Sequence, residues 1–165
     1  MSLSLHLFLH VFSAFLVGVV VWKVWGKPLP SFAAAFCGGI LVDFDHFIDY
    51  FLAFGWNFHL SWFASGYQFT KSDKMYVLFH GWEYVIILII LAFIFKNKIF
   101  KSILLALGFG LFVHLCLDVV IDKVPIKSYF VSDRIKNNFE IEKLNTPEHY
   151  LKHLESKEKM QLQIR

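Results

Sequence analysis

The chain has 165 residues, of which 57% are hydrophobic, 19% aromatic and only 18% charged. This balance excludes a disordered chain and a collagen-like repeat, and two Cys cannot form a disulfide scaffold, so an integral membrane protein is expected. The first 122 residues carry seven Lys and seven acids, and the last 43 carry nine basic and six acidic residues. We therefore predict two domains, a transmembrane body over residues 1–122 and a charged tail over 123–165, without affinity for nucleic acid.

Four apolar runs of roughly 20 residues, the length that crosses a bilayer, make up the body. They are Leu3 to Val24, Ser31 to Phe54, Met75 to Phe95 and Ile103 to Ile121. The predicted fold class is all-α, an integral membrane bundle of four antiparallel transmembrane helices with both termini on one side, here called face X. The first run has no basic residue before it and is too long for a secretory signal peptide, so we expect no cleavage there.

Two more polar segments complete the organisation. The loop Gly55 to Lys74 is rich in aromatic residues such as Trp62, which is typical of an anchor at the membrane boundary or of a lid over a cavity at face X. In the tail, Thr146 and Pro147 predict the N-cap and first residue of a short helix that reaches about Met160.

Polar side chains inside the apolar runs carry the functional information. Six carboxylates and five imidazoles lie within these runs or at their ends: Asp43, Asp45, Asp49, Glu83, Asp118, Asp122, His6, His10, His46, His80 and His114. A charged carboxylate near the bilayer centre costs about 2.5 to 3.5 kcal/mol, and every Lys of the body lies in a loop or at a helix end. A bound divalent cation is the natural counter-ion, with protonation of some carboxyls as the alternative.

The positions of these residues predict that they meet. In an antiparallel bundle they fall within roughly 5 to 16 Å of face X, and those within one run are three or four residues apart, on one helix face. We predict the metal ligands His10, Asp43, Asp45, His46, His80, His114 and Asp118. Glu83 and Asp49 are predicted catalytic groups that orient a water or move its proton, and Asp49 can equally support a ligand from behind.

Two residues are predicted to lie outside the site. His6 is nearest the membrane edge and is interpreted as a hydrogen-bonded core residue, and Asp122 beside Lys123 as a solvated ion pair. Imidazole and carboxylate ligands without thiolate suit Zn²⁺, with Mn²⁺ or Fe²⁺ as alternatives, and their number allows one or two ions, bridged by Asp118 or Asp45.

Three motifs follow one another along the body. They are Gly39-Ile-Leu-Val-Asp43-Phe-Asp45-His46, His80-Gly-Trp-Glu83 and His114-Leu-Cys-Leu-Asp118. Together with His10 they resemble the YdjM-like family of membrane-bound metal-dependent hydrolases, which is similar in ligand pattern to zinc-dependent phospholipase C and the P1-type nucleases. The sequence departs from that pattern at Val42, where Pro is usual, and at Gly81, where Ser is usual. The resemblance implies a hydrolase with these residues as metal ligands.

The expected function is therefore a metal-dependent hydrolase that cleaves an ester, in particular a phosphoester of a lipid or lipid-linked substrate. We expect an integral, multi-pass protein in contact with the lipid bilayer of a prokaryotic plasma membrane, with its oligomeric state left open. A divalent-cation or proton-coupled transporter is the second interpretation, and an inert scaffold whose buried polar groups serve helix association is the third.

Overall fold

The structure, a computed structural model, describes residues 3–25 and 27–164, which are all-α. Its helices are α1 (Leu3–Trp25), α2 (Pro28–Gly39), α3 (Asp45–Phe54), α4 (Leu60–Ala64), α5 (Tyr67–Ser72), α6 (Trp82–Ile94), α7 (Lys98–Asp122), α8 (Val131–Lys136), α9 (Ile141–Leu144) and α10 (Pro147–Ile164). Two 3₁₀ turns, Leu41–Phe44 and Ile126–Tyr129, complete them.

The chain divides into two compact units. The first runs to Val42 and continues from Phe79 to Lys123, and the second comprises Asp43–Leu78 and the chain from Val124 onward. This division differs from the predicted one into residues 1–122 and 123–165, because the tail forms one unit with residues 43–78 instead of standing alone.

Two helices of the described residues are long and apolar enough to cross a membrane, α7 and the stretch Ser4–Trp25 of α1. The predicted span Ser31 to Phe54 is broken after α2 and gives a third candidate only if both of its parts are counted together. The predicted span Met75 to Phe95 is helical only over the 13 residues of α6, which rise about 20 Å against a hydrocarbon core of about 30 Å. The chain is consistent with a membrane protein, but four antiparallel transmembrane helices are not confirmed.

Tyr76 and Val77, which precede α6 in the second unit, are not helical because their backbone groups bond to other residues of that unit. Asp49 accepts hydrogen bonds from the N–H groups of Tyr76 at 2.8 Å and Val77 at 3.0 Å, and the Val77 carbonyl accepts one from Arg134 at 2.7 Å. Val77 also has a φ of 33°, which is costly for a β-branched residue. The hydropathy of these residues alone favours a helix, but backbone groups that bond to distant partners are not available for the hydrogen bonds of a helix.

Small residues bring α2 and α7 into backbone contact in the first unit. A Cβ added at Gly38 would lie 2.2 Å from the Leu107 carbonyl oxygen, and one at Gly110 would lie 2.7 Å from the Ala35 carbonyl oxygen. Ser31 and Ser102 share a buried hydrogen bond of 2.7 Å across the same two helices. In a membrane, burial of apolar surface does not favour helix association, and helices associate instead through small side chains and hydrogen bonds of this kind.

The longest helix of the first unit begins earlier than predicted because of its cap. The Asn97 side chain accepts hydrogen bonds from the N–H groups of Ile99 at 2.8 Å and Phe100 at 3.3 Å. These bonds satisfy two of the backbone donors that lack a partner in the first turn, so α7 starts at Lys98 instead of Ile103.

In the second unit, the aromatic loop packs on α3 and contains two helices of its own, α4 and α5. The rings of Phe47 and Phe63 lie 4.3 Å apart, and those of Phe54 and Trp62 lie 5.2 Å apart. Trp56 is 91% exposed, so this loop both covers α3 and presents an aromatic side chain outward.

The tail helix α10 starts where it was predicted to start and continues past Met160. The Thr146 hydroxyl accepts a hydrogen bond from the His149 N–H at 3.4 Å, as an N-cap does. Farther along, Lys157 and His153 bind the carboxylate of Asp73, and Met160 accepts a hydrogen bond from Thr70 at 3.3 Å. These contacts attach α10 to α5 and the residue that follows α5.

Burial alone would raise the pKa of Asp73, but the hydrogen bonds and charges of Lys157 and His153 outweigh it and lower that pKa below its ordinary value of 3.8. A carboxylate whose pKa is depressed by folding stabilises the folded state above its unfolded pKa and stops doing so as the pH falls through the folded value. The contribution is below about 1 kcal/mol, since the Asp73 side chain is half exposed and screened by water.

We predict that Gly110→Ala destabilises the first unit by about 1 to 3 kcal/mol, because the new methyl meets backbone that cannot move aside. Gly108→Ala is the matched control on the same helix, since its Cβ would meet a Leu88 side-chain carbon at 3.2 Å and both changes gain the same helix propensity. Thermal unfolding in detergent measures the difference. Equal melting temperatures for the two variants would contradict the backbone contact.

We also predict that lowering the pH from 6 toward 3 reduces hydrogen-exchange protection of the α10 amides, as Asp73 takes up a proton and loses its two partners. Asp73→Asn should show the reduced protection already at pH 6. The control Glu148→Gln removes a carboxylate that pairs with Lys152 within α10 itself and should leave the pH dependence in place. Unchanged α10 protection in Asp73→Asn would rule out this attachment.

Candidate metal centre

Four polar side chains converge in the interior of the first unit. The carboxylate of Asp118 lies at the centre, with Oδ1 3.2 Å from His10 Nε2 and Oδ2 3.1 Å from His114 Nε2 and 3.6 Å from His80 Nε2. All four residues are at most 4% exposed. The structure therefore brings together four of the seven metal ligands that the sequence predicted, and they can hold a metal ion.

Helical spacing places His10, His114 and Asp118, whereas His80 lies outside any helix. His114 and Asp118 lie one turn apart on α7, and His6 and His10 lie one turn apart on α1 with ring centres separated by 4.4 Å. The His10 ring in turn lies 4.2 Å from the ring of His114. His80 lies in the non-helical segment before α6, two residues ahead of its first residue, and the N-cap of α6 is Gly81.

The orientation of His114 is fixed from behind by a backbone carbonyl. Its Nδ1 lies 3.1 Å from the oxygen of Gly39, the last residue of α2. A carbonyl oxygen only accepts, so Nδ1 carries the proton and the Nε2 of a neutral ring presents a lone pair to the cluster. This is the support that metal-binding histidines usually have, and sequence reasoning missed Gly39 because a glycine in an apolar helix carries no chemical signal.

The separations among the three inner atoms suit a metal ion. His114 Nε2 lies 3.0 Å from His80 Nε2, and both atoms lie within 3.6 Å of Asp118 Oδ2. Ligands bonded at about 2.0 to 2.1 Å to a tetrahedral Zn²⁺ are separated by roughly 3.3 Å. If His114 is neutral and no cation is bound, its lone pair faces a carboxylate oxygen, which is repulsive, whereas a cation attracts all three atoms.

His10 supplies the clearest sign of a missing partner. Both of its ring nitrogens are buried and neither makes a hydrogen bond to the described residues, although Nε2 lies close to Asp118. Buried polar atoms almost always have a partner, so a nitrogen left without one indicates an ion or water at this place.

Two overlapping groups of ligands share Asp118. One consists of His80, His114 and Asp118 and the other of His6, His10 and Asp118, each with one atom per residue within 4.8 Å of the others. Since the two carboxylate oxygens face different groups, Asp118 has the geometry of a bridge between two ions. His6 was predicted to lie outside the site, and its spacing of four residues from His10 was the signal that favoured including it.

The other predicted ligands belong to the second unit. His46 Nε2 lies 3.5 Å from Asp43 Oδ1 with both side chains half-buried, and Asp45 is fully buried. Both oxygens of Asp49 accept backbone hydrogen bonds, so this residue anchors the segment before α6. The participation of Asp43, Asp45 and His46 in the metal centre and the catalytic role of Asp49 stay predictions.

Glu83 lies half-buried in the first turn of α6. The prediction that it shares a helix face with His80 is wrong, because α6 begins at Trp82 and the preceding Gly81 is extended with φ −140° and ψ 125°. Its proposed work on a water molecule stays a prediction.

Comparison with protein-family models, curated proteins and solved structures finds no match for this chain. The resemblance to YdjM-like hydrolases therefore rests on the motifs of the sequence.

We predict that Asp118→Asn abolishes metal binding, because the amide keeps the side-chain shape but loses the charge that both ligand groups share. Asp122→Asn is the matched control, one turn farther along α7 and exposed. Elemental analysis of detergent-purified protein gives the metal content, and a melting temperature that rises with Zn²⁺ and falls with chelator gives its linkage to folding. Equal metal content in Asp118→Asn and Asp122→Asn would contradict the site.

Proposed function

We propose that the protein is a membrane-embedded, metal-dependent hydrolase that cleaves an ester, in particular a phosphoester of a lipid or lipid-linked substrate. The observation that carries this proposal is the buried cluster of three imidazoles around Asp118, in which His10 lacks a hydrogen-bond partner among the described residues. Metal ions bound by the two ligand groups that share Asp118 would satisfy every member of the cluster.

The composition of the cluster favours catalysis over a purely structural metal. His80, His114 and Asp118 supply three ligands, and catalytic zinc sites have three protein ligands and one position left for water or substrate. A bound divalent ion lowers the pKa of a water toward neutrality and stabilises negative charge on an ester oxygen. Zn²⁺ fits this donor set best, and Mn²⁺ and Fe²⁺ remain compatible with it.

The residues of the protein would position the metal ligands and move the proton. Asp118 holds the centre of the cluster, and the Gly39 carbonyl keeps His114 in the tautomer that can bind a cation. The ring of His10, beside Asp118, is placed to bind a second ion or to take up the proton released when water attacks. Glu83 and Asp49 are the further candidates for moving that proton.

The membrane setting suggests the substrate class. The outward faces of α1, α6 and α7 present large apolar side chains, including Phe12, Ile90 and Phe112. A substrate that reaches the buried cluster from this side must be soluble in the bilayer, which favours a lipid. We place the protein in a prokaryotic plasma membrane as a multi-pass protein, in keeping with the resemblance.

Transport of a divalent cation or proton is a second candidate, and one observation favours it. The predicted second span breaks after Gly39, the residue whose carbonyl orients His114. Interrupted helices at an ion site are a common feature of secondary transporters. The two functions differ in whether a chemical bond must break.

We predict that purified protein with bound metal hydrolyses a phosphoester lipid in detergent micelles, where no gradient exists, and that Asp118→Asn lowers the rate by at least about 100-fold. Asp122→Asn should retain the wild-type rate. If a panel of phosphoesters and acyl esters stays intact while reconstituted vesicles take up Zn²⁺ or Mn²⁺, the hydrolase is refuted and transport replaces it.

A further inference from the structure

An apolar groove lies within the first unit, between α2, α6, α7 and the turn that follows α2. Its volume is about 260 Å³. The side chains that line it include Leu41, Val42, Phe79, Leu88, Leu107 and Leu111. We propose that this groove binds the hydrocarbon chain of the lipid whose ester is cleaved at the metal centre, an inference that rests on the proposed function.

The groove and the metal centre share their supporting backbone. Phe79 immediately precedes His80, and Gly38, which also lines the groove, immediately precedes Gly39. Leu111 lies about one turn before His114 on α7. A chain seated in the groove therefore has one end next to the ligands of the cluster.

The face of α7 connects the two sites. Leu107, Leu111, His114 and Asp118 are separated by four, three and four residues, which places all four on one helix face. From Leu107 to Asp118 the helix rises about 16 Å. The first half of this helix face is apolar, and the second half carries two of the candidate metal ligands. An amphipathic molecule, which has an apolar chain and a polar headgroup, needs a binding site with both parts.

The lining of the groove selects the occupant. No charged residue is among its lining side chains, so a headgroup gains nothing by entering. Leu41 and Phe79 are about half exposed, and the groove opens beside them along helices that are apolar enough to lie in a membrane. Burying methylenes from water is favourable, so binding of a dissolved, micelle-free ligand from buffer should strengthen with chain length until the groove is filled.

The first test compares chain lengths in two variants of α6. Leu88→Trp fills the groove, and Ile90→Trp adds the same side chain two residues along, where residue 90 is 54% exposed and does not line it. Dodecyl and butyl esters of the same phosphate are the substrates. We expect Leu88→Trp to lower kcat/KM for the dodecyl ester at least 10-fold and leave the butyl ester within twofold, and Ile90→Trp to leave both unchanged.

The second test measures binding without turnover. Dodecylphosphonate, which has no ester bond to cleave, with a diazirine at the chain end should, on illumination, label peptides that contain Leu107 or Leu88, and unlabelled dodecylphosphonate should compete. Cys37 also lines the groove and is exposed, so attaching a long alkyl thiosulfonate to it in a Cys116→Ala background should abolish the labelling. A methyl thiosulfonate should leave it intact.

The outcomes separate the two proposals. Hydrolysis with equal rates for both esters, and equal behaviour of Leu88→Trp and Ile90→Trp, would refute the groove while the hydrolase stands. Labelling of the groove without cleavage of any ester would refute the hydrolase and leave a lipid-binding groove. Labelling that is spread evenly over the lipid-facing residues of α1 and α7 would refute the groove independently of any activity.

Discussion

The hydrogen bond between His114 and the Gly39 carbonyl is the contact on which the metal centre depends. The carbonyl is free because α2 ends at this residue, and it reaches His114 because Gly38 and Gly110 let α2 and α7 touch through their backbones. A larger side chain at either glycine would separate the helices and remove the acceptor. The small-residue contact therefore sets the tautomer of His114, and that tautomer decides whether the cluster can bind a cation.

The burial of the cluster explains why its polar groups are a carboxylate and imidazoles and include no lysine among the described residues. The ion pairs that Asp118 makes in the first unit are all with histidines, which are neutral or charged according to their surroundings. A protonated lysine at this place would itself pair with the carboxylate and would repel a metal ion. Three imidazoles instead keep lone pairs available, so the same residues can neutralise the carboxylate by protonation or by a bound metal.

Much of this site could be predicted from the sequence, because helical spacing and depth are properties of regular helices. His10, His114 and Asp118 lie on α1 and α7, where the periodicity holds along the whole run. The prediction failed where distant bonds overrule the local pattern: Met75 to Gly81 is largely apolar but not helical, and within it Asp49 and Arg134 bind the backbone of Tyr76 and Val77. Neither partner can be identified from the apolar pattern of the segment itself.

The segment before α6 also shows how one carboxylate can hold residues that lie outside any helix. His80 precedes the start of α6 and lies in a non-helical segment whose earlier residues, Tyr76 and Val77, are bonded to Asp49. Residues outside a helix keep conformational freedom unless other bonds hold them. The two bonds from Asp49 remove part of this freedom for Tyr76 and Val77. Asp49 thus has a physical reason to be a buried carboxylate in an apolar helix even without touching a metal ion.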